Sequence, residues 1–481
     1  MNGTSRPYFK TLSILPFALA ALAVGGCAVN QEKEVATYRK VLDGKHPPAF
    51  VYHPGEPLSL EAALLLTNRN DETLASSGED YLQALIDKER AFSTFLPSIS
   101  LAPTMNWQQN RASFAGAPTT PVLTDVPVAG RYNVFNGFQD VANLRRAGYT
   151  SQQRKALLLD LQQTVLLDVA QVYYQVLSSE RSVEVLLNST QVQNERVRDM
   201  VGRQKAGVAR PLDVAQTEAQ AAATRVQLIQ AQNNVRDGRI TLAFLTATPV
   251  QDAPLADRLD VPVNLITADA ALLRAQATRQ DVQAAQAAIE AGRQNVQAAI
   301  GQYYPSVTLN LDYYLHKESF PTISEWDGIL TANIPIFTAG QINANVRTAW
   351  SQLRQAWLNE RRTRRMVAEQ VRTAYENLKA SSRRLNELHV EVSAAQEALR
   401  QAEQMYAAGL ATNLDRLTAQ DQLLSAQLSL AAEAFNYKVY YLQLIRAMGT
   451  LRRPDYPPAP TTAPASRPSP SEVNTPGPVR K

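Results

Sequence analysis

Side chains that commonly do chemistry are sparse in this chain, and two carboxylates stand out among them by their setting. Asp213 and Asp415 each close the same pattern, Gly207-x4-Leu212-Asp213 and Gly409-x4-Leu414-Asp415. Each glycine punctuates a helical turn and the return helices start near Pro211 and Asn413, which puts both acids in a first helical turn beside the positive end of the dipole. One cysteine and four scattered histidines exclude a disulfide framework and argue against a Cys/His metal site. Gly-rich phosphate loops and nucleophile or metal motifs are missing, so an enzyme is the least favoured reading and no cofactor is expected. His316 reads as a loop residue, His389 as helix surface, and Arg361, Arg362, Arg364 and Arg365 as a solvated helix face.

Composition narrows the elements that position these groups. With 45% apolar and 19% charged residues, the 481-residue chain is not a polytopic helical membrane protein. Lys plus Arg (48) against Asp plus Glu (44) leaves a net charge of +4, which gives no electrostatic reason to expect nucleic acid. Twenty glycines and 7% aromatics are low for a large all-β protein, whereas abundant Ala, Gln, Leu and Arg point to long helices.

The two ends lie outside the packed unit. A basic start (Arg6, Lys10), an apolar run and small residues make residues 1–26 a secretory signal. The single cysteine ends it in Val24-Gly25-Gly26-Cys27, which resembles the bacterial lipoprotein signal and implies a covalent lipid on Cys27. Ala28 follows rather than Asp, so the expected location is the outer membrane. Residues 27–57 form an N-terminal extension, and residues 451–481 a proline-rich tail that cannot pair as helix or sheet.

Between them one unit is written twice, as residues 58–247 and 266–450 with a linker at 248–265. Phe95-Leu96-Pro97-Ser98-Ile99 matches Tyr303-Tyr304-Pro305-Ser306-Val307; further on, Phe135 matches Phe337, Tyr173 matches Tyr375 and Gly207 matches Gly409 at a constant offset of 202. Each copy opens with a helical segment (residues 58–95 and 266–304). The period then changes from 3.6 to 2: Ile99, Leu101, Met105 and Trp107 alternate with polar residues, as do Val307, Leu309, Leu311, Tyr313 and Leu315. Weaker second strands follow over 126–135 and 326–337, with exposed loops expected at 112–125 and 316–325. Four strands of about ten residues suit a tilted bilayer crossing, but four cannot close a barrel, and open edges are forbidden in lipid. A four-stranded sheet packed on a soluble core fits the same pattern.

After each second strand comes a helical hairpin. Residues 140–206 and 341–408 contain no proline, and about 67 residues at 1.5 Å each make a rod of about 100 Å. Val371, Ala374, Leu378, Leu385, Leu388, Val392, Ala395, Leu399, Ala402 and Tyr406 keep a heptad seam, broken only at Ser381.

These residues resemble the outer-membrane efflux proteins of the TolC type. The resemblance covers residues 58–451 and rests on Leu58-Ser59-Leu60-Glu61-Ala62-Ala63, the Pro97 and Pro305 helix ends, Ile334-Pro335-Ile336-Phe337-x2-Gly340, and Tyr406-x2-Gly409-x4-Leu414-Asp415-x3-Ala419-Gln420. It implies a mainly α fold with a small β part: long antiparallel coiled-coil hairpins forming an α-barrel, plus four strands per chain in a trimeric 12-stranded barrel. It also implies passive conduction from an inner-membrane pump, through a periplasmic adaptor, to the exterior. A soluble periplasmic coiled-coil scaffold is the alternative from another class, and a protein-secretion conduit is the same machine with another cargo.

By the same resemblance, Asp415, with Asp213 in the first copy, lines a pore constriction, Tyr406 helps hold it, and Thr418 stands where some members carry a second acid. Arg416 beside Asp415 is expected to neutralise it in part. Gly207, Pro211, Leu212, Gly409, Leu410 and Leu414 form the tips that meet the adaptor. Carboxylates related by threefold symmetry in a narrow pore would repel one another and attract cations.

Overall fold

The computed structural model describes residues 29–44, 52–53, 55–107, 122–250, 252–262, 266–319 and 324–451. Cys27 with its signal segment, the tail from residue 452, and most of the 112–125 stretch lie outside the described residues. A short helix, α1 (Gln31–Asp43), precedes the first copy. That copy runs β1 (Leu58–Ser59), α2 (Leu60–Asn70), α3 (Glu72–Ser93), β2 (Ser98–Leu101), β3 (Thr104–Trp107), β4 (Val122–Asn136), α4 (Gln139–Lys205) and α5 (Pro211–Thr246). The second runs β5 (Leu255–Ala256), α6 (Ala268–Thr278), α7 (Gln280–Gly301), β6 (Ser306–Lys317), β7 (Trp326–Asn333), α8 (Gln341–Ala407) and α9 (Asn413–Ala447).

The two rods α4 and α8 have 67 residues each. Their return helices are about half as long, and the upper half of each rod is covered instead by the short helices: α3 and α7 pack on α4, and α6 and α7 on α8. Each opening helical segment is two helices rather than one, because Asp71 and Arg279 turn to extended backbone. The Asp71 carboxylate accepts from Leu74 N at 2.7 Å, starting α3 afresh. Ser381, the break in the seam, is buried and donates to Glu433 on α9, which also accepts from Arg384. A polar bridge thus replaces an apolar knob there.

The four expected strands form one antiparallel sheet in the order β2/β3, β4, β6, β7. β2 and β3 are one strand nicked at Ala102-Pro103: Leu101 opposite Val128 and Thr104 opposite Asp125 keep a single register. β4 starts at Val122, earlier than expected, so residues 122–125 are strand and not loop. β7 ends at Asn333 rather than 337, since Pro335 has no N–H to donate. His316 belongs to β6, not to a loop. Apolar side chains of alternate positions stand in the open: Ile99 and Trp107 are each 75% exposed, Leu330 66%.

The chain passes from sheet to rod through two successive left-handed residues in each copy, Gly137-Phe138 and Ala339-Gly340. Glycine occupies opposite positions of the pair in the two copies, yet the backbone is the same. At Gly137 glycine is also required for space, since a Cβ there would stand 2.1 Å from the Gly301 carbonyl oxygen. Further down, β1, at the very start of the first copy, pairs in parallel with β5, which lies in the stretch that sequence reading treats as a linker. Tyr173 on α4 donates to Leu58 O (2.8 Å) or Ala256 O (2.9 Å), and with Leu166, Val169 and Tyr174 it forms the main buried core.

Candidate functional site

The hairpin tips are built by the same turn twice. Gly207 and Gly409 take φ of 73° and 76°. Val208 N donates to Arg203 O (2.9 Å) and Leu410 N to Met405 O (2.8 Å), while the glycine N–H groups reach Gln204 O and Tyr406 O. This is the Schellman pattern, which terminates a helix with its last carbonyls satisfied. Pro211 opens α5, and Thr412 caps α9. Asn413 joins the two tips, its Nδ2 reaching Thr217 Oγ1 at 3.1 Å and Asp213 O at 3.3 Å. Leu212, Leu410 and Leu414 are exposed there, Leu410 to 75%.

Asp213 and Asp415 hold matching positions in sequence but different positions in space. Asp415 is exposed and closes a reciprocal cap: its Oδ2 accepts from Thr412 N (2.8 Å) and the Thr412 hydroxyl (2.6 Å), while Asp415 N donates to Thr412 Oγ1 (3.2 Å). These bonds, the side-chain one first, hold its pKa below the ordinary carboxylate value. Asp213 is buried against α9 and gripped by Arg210, whose Nε and Nη2 donate at 3.0 and 2.9 Å. That guanidinium holds the Asp213 carboxyl low and cancels its charge. The neutralised acid is therefore Asp213, not Asp415.

Arg416 does not face Asp415. It is buried, donates to Asn413 Oδ1 at 2.9 Å and lies over the Tyr406 ring, 4.5 Å from its centroid. Arg203 approaches the same ring at 5.6 Å, and the Tyr406 hydroxyl points to Met200 Sδ at 3.9 Å. Tyr406 is thus gripped by two guanidinium groups and is more than a seam residue. Leu414, Asp415 and Thr418 share one exposed face of α9, and the Thr418 hydroxyl turns back to Leu414 O. The arrangement can present charge and apolar side chains at a tip; it brings together no acid, base and nucleophile. Arg210 and Asn413 are working members that sequence reasoning gave no site role, and Arg416 is one to which it gave the wrong partner. The only signal for Arg210 was a basic residue at the helix start, where a hydroxyl or amide is usual.

Residues 67–248 and 271–450 match the family described as outer membrane efflux protein. The outer membrane efflux protein BepC of Brucella suis is 26% identical over 343 residues, 69% of this chain and 74% of that one. The outer membrane protein TolC of Vibrio cholerae is 24% identical over 379 residues, 76% of this chain and 84% of that one. Among solved structures, the outer membrane protein VceC of Vibrio cholerae superposes with a TM-score of 0.73 at 21% identity, covering 81% of this chain and 96% of that one. The fold of rods, short helices and a four-strand sheet is theirs, and the chain belongs to the outer membrane efflux protein family.

Proposed function

We propose that three copies of the chain close one barrel and one helical tunnel, forming the exit duct of a tripartite export assembly. The observation that carries this is the sheet with two unpaired edges and an apolar exposed face. In lipid such edges must be paired, and four strands each from three chains give a barrel wide enough to conduct. The helices point the same way. In order around the arc, α3 and α5 form one flank and α8 the other. The β2/β3 edge follows α3 and the β7 edge precedes α8, so one copy's β7–α8 flank meets the next copy's β2/β3–α3 flank. Both flanks carry exposed apolar side chains, Trp350, Trp357 and Leu358 on one and Ile86, Ile240 and Phe244 on the other.

The tips lie about 100 Å from the strands, where a periplasmic adaptor linked to an inner-membrane pump would meet Leu212, Leu410 and Leu414. Asp415, the open carboxylate, forms the charged ring of the closed end, and the pump supplies the energy for transport. Cys27 carries the lipid anchor; labelling with a radioactive fatty acid should fail for Cys27→Ser. Purified protein in a planar bilayer should give discrete conductance steps blocked by multivalent cations from the tip side. A protein that inserts without conducting would sink the duct reading. The cargo, whether drug, metal or polypeptide, is set by the pump.

A further inference from the structure

Among the described residues nine buried side-chain atoms lack a hydrogen-bond partner, and seven of them fall in one place. On α4 they are the hydroxyls of Ser189 and Thr190, both amide atoms of Gln193 and Nη1 of Arg196; on α9 they are Nε of Arg416 and Oε1 of Gln420. Gln193 is fully buried, and Arg416 and Gln420 are 7% and 6% exposed. Residues 189, 193, 196 and 200 recur along one face of α4, as Arg416 and Gln420 do on α9. Tyr406, which reaches Met200 and carries Arg416 on its ring, fixes the two helices at one level.

Charge does not balance at this contact. Arg196 is paired with Glu403, but the hydrogen bond of Arg416 goes to neutral Asn413, so one guanidinium charge is buried without a counter-ion. Burial and the nearby Arg416 both push the Arg196 pKa down. Water would satisfy the amides and hydroxyls but would not neutralise the excess charge, and a buried uncompensated charge is strongly destabilising. At the offset of 202 the other copy has Ala395 for Gln193, Ala398 for Arg196 and Val214 for Arg416. Gln193, Arg196 and Arg416 thus stand where the other copy is apolar, whereas Ser189 and Gln420 correspond to the exposed Glu391 and Glu218.

We propose that the α4–α9 contact holds a halide-sized inorganic anion between Arg196 and Arg416, clasping the two hairpins together. Arg196 Nη1, Arg416 Nε and Gln193 Nε2 supply the donors, with the Ser189 and Thr190 hydroxyls nearby along α4. Arg196 and Gln420 also line a groove of about 720 Å³ between α4, α8 and α9, which gives the ion a route from solvent. Arg416 lies behind that groove, within the helix contact, which selects a compact ion over the carboxylate of a lipid or drug. The clasp is a property of one chain and does not depend on the duct reading.

Two measurements on the intact detergent-solubilised protein decide it. Crystals soaked in bromide, measured at the bromine edge, should show an anomalous peak between Arg196 and Arg416. In solution, chloride should raise the unfolding temperature saturably; sodium gluconate at equal ionic strength should not, and Arg416→Gln should abolish the difference. No peak, with ordered water on the orphan groups, overturns the site. A peak without halide-specific stabilisation means an adventitious ion only and overturns the clasp. Should Arg416→Gln not fold, the two wild-type results still decide.

Discussion

At the tips one sequence pattern yields two different carboxylates, because the residue three positions earlier is Arg210 in one copy and Thr412 in the other. A guanidinium neutralises Asp213, whereas a hydroxyl leaves Asp415 charged and exposed. Asp415→Ala is therefore expected to weaken block by multivalent cations in bilayer recordings, while Asp213→Ala leaves it near wild type and Arg210→Ala makes Asp213 contribute. Equal effects of the two alanine variants would contradict this. Asp415 has a pKa below the ordinary 3.8. A lowered value means the folded tip binds the proton more weakly, so the cap's stabilisation is full above 3.8 and is lost as pH falls through the lowered value. The difference in melting temperature between wild type and Asp415→Asn should stay constant from about pH 7 to 5 and shrink only at still lower pH. The positions of both acids were legible from the repeated Gly-x4-Leu-Asp spacing. Their partners were not, since Arg416 adjoins Asp415 in sequence yet lies on the buried face of the helix while Asp415 lies on the exposed one.

Rod lengths were legible because glycine stands at or near both ends of each, which is why both have the expected 67 residues, whereas Pro335 ends β7 before the alternation of its residues does. The breaks at Asp71 and Arg279 carry no such mark. Asp71 acts through its cap on Leu74, and Arg279 through a bidentate bond to Asp281 at 3.0 and 2.7 Å. α1 was missed because its surface is charged, although Tyr38 packs so closely on Gly78 that a Cβ would lie 2.4 Å from the ring. Two substitutions test the joints between elements. Gly137→Ala collides with the Gly301 carbonyl at a positive φ, and it should leave little folded protein in the membrane fraction. Tyr173→Phe removes the hydroxyl that serves Leu58 and Ala256; it should lower stability by about 1–3 kcal/mol and speed hydrogen exchange at β1 and β5. Wild-type exchange there would show that the tyrosine does not pin the small sheet.

The whole molecule is an arc with two unfinished flanks, and the helices and strands agree on which flanks they are. Alternating strand residues made the apolar face legible, and the count of four made closure by one chain impossible; which helix lies at each flank needed the packing of α3, α5 and α8. Leu358→Arg, on the α8 flank, should reduce assembly without unfolding the single chain, giving monomer on size-exclusion chromatography with unchanged helical circular dichroism. The most direct test of the account is membrane fractionation of the expressed chain followed by light scattering of the detergent-extracted peak. Closure predicts a particle of about three chain masses, released from the membrane only by detergent. A monomer or dimer recovered without detergent would mean that the apolar strand face packs on a soluble partner surface, and the duct would be contradicted.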